Sequence, residues 1–487
     1  VNPRLYQLNP KLFLSSVGRS ATLDDIPDSL LESLQAKGFD WVWLLGVWSV
    51  GQTGAKIARQ PSEWRRECLS VLPDLTDDDI VGSPFAVCSY TVDDSLGGNA
   101  ALARVRHRLQ SFDLKLMLDF VPNHIGHDHP WVRSNPDFLI TGTAEQLNSD
   151  PLTWTRLEDN RIVAFGRDPN FPGWTDTLQL NYFNPALRVA MLDELLAISR
   201  VCDGVRCDMA MLIEPEVFRE TWGKRAPHAV QGFNSFWHEA IATVRRSTPE
   251  FLFAAEVYWD YEYKLQQHGF DFTYDKRLYD RILEGDGERV CAHLRAPLNY
   301  QQKMVRFLEN HDEPRIASTL SLQEHRAAAV VTFFAPGMRL IHDGQLTGRR
   351  LRVPVQLRRA PHERSSEGVE NLYREVLPLA HSPAVTHGKW HLLETREAWP
   401  YNPSHVHFVA YLIEHPLRTL LVVVNYWAHR GQCFVRIPDR PWLEGTVEFR
   451  DLLSQERLVR PASDILDRGL FLDCAEWQSH VFSIEQS

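Results

Sequence analysis

The chain has 487 residues, more than one ordinary domain needs and suited to a barrel of roughly 250 residues with additions. Charged residues make up 24% and apolar residues 44%, the mixture of a folded globular protein rather than a disordered or fibrous one. A net charge of −11 argues against the basic surface of a general nucleic-acid binder, and the longest apolar runs, such as Thr419 to Trp427, fall short of the roughly 20 residues that cross a bilayer.

No basic and apolar leader opens the chain, so a cytoplasmic location is expected, and seven scattered cysteines read as reduced rather than as a disulfide framework. Short β-branched or aromatic runs then alternate with helical stretches. They are Leu5 to Leu8, Trp41 to Leu45, Leu114 to Val121, Gly204 to Asp208, Phe251 to Glu256, Phe270 to Thr273, Val305 to Leu308 and Met338 to Ile341. Eight such strands predict a closed (β/α)8 TIM barrel. Ala186 to Val201 places Leu192, Leu195 and Leu196 at helical spacing, as an outer helix requires. The gap after the third strand is too long for a simple crossover, and its first part is rich in Pro, Asn, Asp, Gly and Trp, which predicts an inserted subdomain. Beyond about residue 385, strand-like runs without long helices predict a C-terminal antiparallel β-sandwich. The expected division is barrel 1–123, insertion 124–185, barrel 186–384 and C-terminal domain 385–487.

In barrel enzymes the chemistry sits where strands end, so polar residues that close an apolar strand carry more weight than polar residues elsewhere. Four clusters do this. They are Asp119-Phe-Val-Pro-Asn123-His124, Gly204-Val-Arg206-Cys-Asp208, Ala255-Glu256-Val-Tyr258 and Glu309-Asn310-His311-Asp312, closing strands three, four, five and seven. A lone Asp after a strand is usually a helix cap or a surface ion pair. Four clusters converging on one mouth point instead to a site. Arg206 and Asp208, two residues apart on a strand, share a face, so Arg206 is expected to hold Asp208 ionised. Glu256 follows the apolar run from Phe251 and is the better candidate for a raised pKa. A carboxylate that attacks and a carboxyl that protonates the leaving oxygen make a retaining glycosidase, which needs them roughly 5 Å apart.

In order and spacing, these clusters resemble the four signature regions of glycoside hydrolase family 13, the α-amylase family. The resemblance covers about residues 1 to 380. It implies that Asp208 is the nucleophile, Glu256 the acid/base and Asp312 a third essential carboxylate that grips sugar hydroxyls. It further implies that His124, Arg206 and His311 contact the reacting sugar, that Phe85 serves as its stacking platform, and that Asn123 occupies the position that often ligates a structural calcium. No cofactor is implied for the chemistry itself. Typical members carry Lys-His shortly after the nucleophile, where this chain has Met211 and Leu212. They also carry a Pro-Asp-Leu-Asn-like stretch where it has Leu178-Gln179-Leu180-Asn181. The expected partner is an α-linked glucoside, oligosaccharide or α-glucan, with hydrolysis as the expected reaction. Transfer or phosphorolysis through the same intermediate, and a non-catalytic binding barrel, are the competing readings. Trp48, Trp131 and Trp174 are candidate sugar platforms in loops near the mouth.

Overall fold

The structure, a computed structural model, describes residues 2–225 and 234–486. Eight parallel strands close a barrel in chain order: β1 (Arg4–Leu8), β2 (Trp41–Leu44), β3 (Lys115–Phe120), β4 (Gly204–Cys207), β5 (Leu252–Ala255), β6 (Phe272–Tyr274), β7 (Met304–Arg306) and β8 (Met338–His342). The ring shuts where β1 pairs with both β2 and β8, Tyr6 lying opposite Val42 on one side and Ile341 on the other. All eight lie within or beside the runs expected from sequence.

Period-two alternation sorts each strand into two cores. Leu5, Trp43, Met117, Ala254, Tyr274, Val305 and Leu340 fill the barrel interior. Their neighbours Tyr6, Val42, Leu116, Val205, Cys207, Phe253 and Ile341 face the surrounding helices. The helix Pro185–Ile198 shows how those helices dock. Asn184 caps it by accepting from Ala186 N, Pro185 opens it, and Leu187, Met191, Leu195 and Ile198 form its buried stripe. Leu195 lies in that stripe as expected, whereas Leu192 and Leu196 lie half-buried on its flanks.

Two long excursions rise above the C-terminal end of the barrel in addition to the segment after β3. The first, between β2 and the helix Gly98–Ser111, carries helices Gln52–Arg59 and Glu63–Val71 and the paired strands Trp48–Val50 and Val87–Val92. The second runs from β8 to the helix Glu367–Ala380 with little regular structure. After β3, His124–Gly126 pairs antiparallel with Thr177–Gln179, and Trp154–Arg156 with Ile162–Ala164.

The C-terminal part is two antiparallel sheets. Six strands run in the order 389–392, 408–414, 419–425, 479–486, 446–451 and 457–461, and three more in the order 395–397, 431–435 and 470–474. Phe408, Ala410, Leu421 and Val423 of the larger sheet share a core with Cys433, Val435, Leu470 and Leu472 of the smaller. The opposite face of the larger sheet, with Tyr411, Val422 and Tyr426, belongs to the barrel's outer core. Two buried tyrosines stitch that junction, Tyr411 donating to Val331 O at 3.2 Å and Tyr426 to Ile282 O at 2.8 Å.

All seven cysteines are free, and among the described residues no helix is long and apolar enough to cross a membrane. Tyr426→Phe keeps the ring packing but removes a buried hydrogen bond between the barrel and the C-terminal sheets, so it is expected to cost about 1 kcal/mol and to lower the urea midpoint while leaving the far-UV spectrum unchanged.

Candidate active site

The four clusters meet at one end of the barrel, and their backbones remain paired past the last strand residue. Asp208 N donates to Phe120 O at 2.8 Å, Glu256 N to Cys207 O at 3.0 Å, and Ala210 N to Glu256 O at 2.9 Å. Asp208 and Glu256 therefore stand on ladder-bonded backbone, which positions side chains more tightly than a free loop. Alternation sends Cys207 outward into the helix layer and Arg206 inward, with its guanidinium 5.4 Å from the Trp43 ring and 5.9 Å from Tyr274.

Arg206 is 1% exposed and bridges both carboxylates, Nη1 lying 2.6 Å from Asp208 Oδ1 and Nη2 2.7 Å from Glu256 Oε2. The pairing with Asp208 expected from sequence is thus one of two that Arg206 makes. Glu256 accepts in addition from Tyr258 OH at 2.9 Å and from Met209 N at 2.7 Å. Met209 turns its N–H inward by adopting φ 41°, a left-handed conformation uncommon for a residue with a side chain. Burial pushes the Glu256 carboxyl up to about 7 against the pull of Arg206, and the nearby Asp208 and Asp312 add to the rise. Burial raises Asp208 as well, where the charge and hydrogen bond of Arg206 oppose it. Glu256 thus titrates near neutrality, as a group that gives and takes back a proton should.

Asp312 closes the triangle from the loop after β7. Asn310 Oδ1 fixes that loop by accepting from Asp312 N at 2.8 Å and Glu313 N at 3.0 Å. Glu309 of the same cluster is fully buried against Arg315 at 2.6 Å and Ile316 N at 2.7 Å, so it braces the loop and does not face the cleft. Burial drives His311 down to about 3 and His124 to about 4, leaving both imidazoles neutral. Gln7 Nε2 lies 2.7 Å from His311 Nδ1, an arrangement that leaves the ring proton on Nε2. That Nε2 is buried without an aligned hydrogen bond, 3.0 Å from Asp312 Oδ2, and Arg206 Nε also lacks a partner. Unpaired buried donors beside a cavity mark where a polar ligand belongs. Phe85, half-buried, places its ring 5.5 Å from His311 and 5.2 Å from the Arg206 guanidinium.

These groups line a cleft of about 530 Å³. The structure adds members to it that sequence reasoning missed. Tyr258 stood in the cluster after the fifth strand but was given no role there, although it lies only two residues beyond Glu256. Asp176, Ile57, Ala58 and Trp64 come from distant excursions that carry no local signal. Of the three tryptophans proposed as platforms, Trp174 lines the cleft, 5.1 Å from the His124 ring. Trp48 is core and donates to Asp119 O, and Trp131 packs on Phe138. Met211 and Leu212 are likewise buried in the outer core and do not reach the cleft. Asp119 organises the β2 excursion, accepting from Trp43 Nε1 at 3.1 Å and Gly46 N at 2.7 Å.

Asn123 lies beneath the inserted segment, and its surroundings do not fit a calcium ion. A hard cation needs several oxygen ligands, carboxylates among them. Here the Gln179 amide takes that place: Nε2 lies 2.9 Å from Asn123 O, 3.0 Å from Asn123 Oδ1 and 3.1 Å from Leu180 O, so donors point where ligands would have to. Among the described residues, no group of three or more His, Cys, Asp or Glu is arranged to hold a metal.

The family model for the alpha amylase catalytic domain matches residues 87–353, more than half of the chain. Alpha-amylase MalA of Haloarcula japonica is 24% identical over 269 residues, covering 54% of this chain and 36% of that protein. An alpha-1,4-glucan:maltose-1-phosphate maltosyltransferase of Bifidobacterium longum is 28% identical over 235 residues, covering 47% of this chain and 25% of that one. The chain spans at most about half the length of the curated relatives it matches. Among solved structures, a maltogenic alpha-amylase from Thermotoga neapolitana superposes with a TM-score of 0.68 at 17% identity, covering 99% of this chain and 98% of that one. An alpha-amylase from Geobacillus thermoleovorans, complexed with acarbose, gives the same TM-score at 16% identity, covering 100% and 98%.

Because Gln179 takes the place of a cation's ligands, saturating EDTA should leave the melting temperature unchanged. Gln179→Ala, which strands buried acceptors, should destabilise by about 1–3 kcal/mol in the same thermal assay.

Proposed function

The chain belongs to the α-amylase catalytic-domain family, and on that premise we propose that it is a retaining glycoside hydrolase acting on α-linked glucosides, oligosaccharides or α-glucan. The observation that carries this reading is a single buried arginine joining two carboxylates of unequal environment, with a third carboxylate across the cleft. The same reading divides the chain into barrel 1–123 and 186–384, insertion 124–185 and C-terminal domain 385–487.

In the proposed mechanism the Asp208 carboxylate attacks the anomeric carbon while protonated Glu256 gives its proton to the departing oxygen, leaving a β-linked glycosyl-enzyme. Glu256, now ionised, takes a proton from water, which attacks the same carbon and frees Asp208. Arg206 remains charged throughout and balances whichever of the two carboxyls is anionic, without reorganising. Asp312 accepts hydrogen bonds from sugar hydroxyls, the neutral His124 and His311 donate to others, and Phe85 offers its face to the ring. Tyr258 OH, at 2.9 Å from Glu256 Oε1, orients the proton donor.

Interception of the glycosyl-enzyme by a sugar or phosphate in place of water would make the protein a transferase or phosphorylase. The maltosyltransferase among its relatives keeps that second reading in view.

Incubation with maltoheptaose beside the Asp208→Asn variant is the test. Shorter products from the parent alone, with a rate loss on the order of 10⁴-fold in the variant, are expected. Longer products would establish transfer, and identical behaviour of parent and variant would make the barrel a binding subunit. Activity should fall as pH rises through about 7, because the proton on Glu256 is lost there. Glu256→Gln should remove that descending limb in a pH profile recorded with an activated aryl glycoside, whose leaving group needs no proton.

A further inference from the structure

The excursions after β2 and β8 are far apart in sequence yet knit together over one side of the cleft. Ile80 and Leu357 form an antiparallel bridge, flanked by Val81 N donating to Gln356 O and Arg358 N to Asp79 O, both at 2.9 Å. Cys68, Val71, Leu72, Ile80 and Leu357 make a small apolar core of their own, with Leu12, Ala58, Leu75 and Val353 against it. Charges complete the join: Arg359 Nε lies 2.9 Å from Asp79 Oδ1, its Nη1 3.1 Å from Asp74 Oδ2, and Arg352 pairs with Glu67. The apolar cluster and the charges act together: a partly exposed ion pair contributes little singly, but Arg359 joins Asp74 and Asp79 in a network beside the Arg352–Glu67 pair.

Position gives this clasp a consequence. Glu256, Tyr258 and Met209 mark the side on which the leaving group departs, because the acid must reach the leaving oxygen. The excursions of the clasp follow β2 and β8, which flank β1 across the closed ring from β4 and β5, the strands that lead into Met209 and Glu256; there Arg352 Nη1 donates to Asp312 O at 3.3 Å, and Ile57, Ala58, Ser62 and Trp64 from one excursion and Val355 and Gln356 from the other line the cleft. In a retaining α-glycosidase the sugars on the glycone side run toward the non-reducing end. A wall there leaves no exit for a chain that continues in that direction.

We propose that the joined excursions close the site just beyond the reacting sugar, so that the protein releases units from the non-reducing ends of α-glucosidic chains, or splits small α-glucosides, and does not cut inside a chain. This rests on the hydrolase reading above and adds direction to it. The wall is an element of specificity, touching no reacting atom, so loosening it changes which substrates enter and leaves the chemical step intact.

The test compares p-nitrophenyl maltoheptaoside with the same compound whose non-reducing terminal sugar is capped by a 4,6-O-ethylidene group. Both are followed by chromatography of the products. The expected result is stepwise shortening of the free compound and a rate at least 100-fold lower on the capped one. The paired change Glu67→Ala with Arg359→Ala, neither residue being in the catalytic group, should raise the capped-to-free rate ratio at least 10-fold while the rate on the free compound holds. Comparable cleavage of both compounds by the parent would overturn the wall and leave the hydrolase reading intact. No cleavage of either, repeated with p-nitrophenyl α-glucoside, would overturn both readings together.

Discussion

A guanidinium cut off from water survives in a protein interior only where its charge is matched by partners that are themselves well bonded. Arg206 meets that condition through Asp208 and Glu256, and the site depends on the bargain in both directions. Removal of either carboxylate would leave a buried charge poorly matched, and removal of the arginine would leave two buried acids competing for one proton. Trp43, Phe85 and Tyr274 press their rings toward the guanidinium, so the strand-end scaffold and the aromatic filling of the barrel share one electrostatic centre. The same centre explains why two carboxyls a few residues from barrel strands behave differently from surface acids: burial raises both, and the arginine limits how far.

The rest of the cleft suits the neutral, hydroxyl-rich ligand proposed for it. Buried neutral histidines give directional donors at no cost in added charge, and His311 Nε2 and Arg206 Nε are buried without an aligned hydrogen bond. Such groups are expensive in a folded protein and tolerable where a ligand completes them. Gln7 holds the His311 ring from behind, and Asn310, Glu309 and Arg315 fasten the loop that carries it. The floor of the site is therefore rigid, and its selectivity is left to what rises around the rim.

That rim is irregular backbone tied down by local cores. The Gln179 amide fastens the segment after β3 to Asn123 with neutral hydrogen bonds, in a position where the residues at hand cannot assemble a cation's oxygen shell. The excursions after β2 and β8 carry an apolar cluster and a set of arginine–carboxylate pairs between them. Loops that share a core move as one body, which is the condition for a wall rather than a flap.

The barrel was legible in sequence because β-branched and aromatic runs bounded by polar strand ends have few other solutions: all eight strands from Leu5 to Ile341 fall where the runs lie. Asp208, Glu256, Asp312, His124, His311 and Arg206 could likewise be named in the strand-end clusters, and Phe85 through the family resemblance, and they do gather around one cleft. What one-dimensional pattern could not supply was partnership. Alternation placed Arg206 beside Asp208, but only closure of β4 against β5 brought Glu256 onto the same guanidinium. Met211 and Leu212 stand where members of the family carry Lys-His, yet after the left-handed turn at Met209 they lie in the outer core. Asp176 and Trp64 entered the site from segments whose local sequence carries no signal of it. Local propensity and periodicity, which act over a few residues, determined the strands and which polar groups close them. Long-range packing, whose partners no local pattern specifies, decided which charges share a proton and which loops stand together at the mouth.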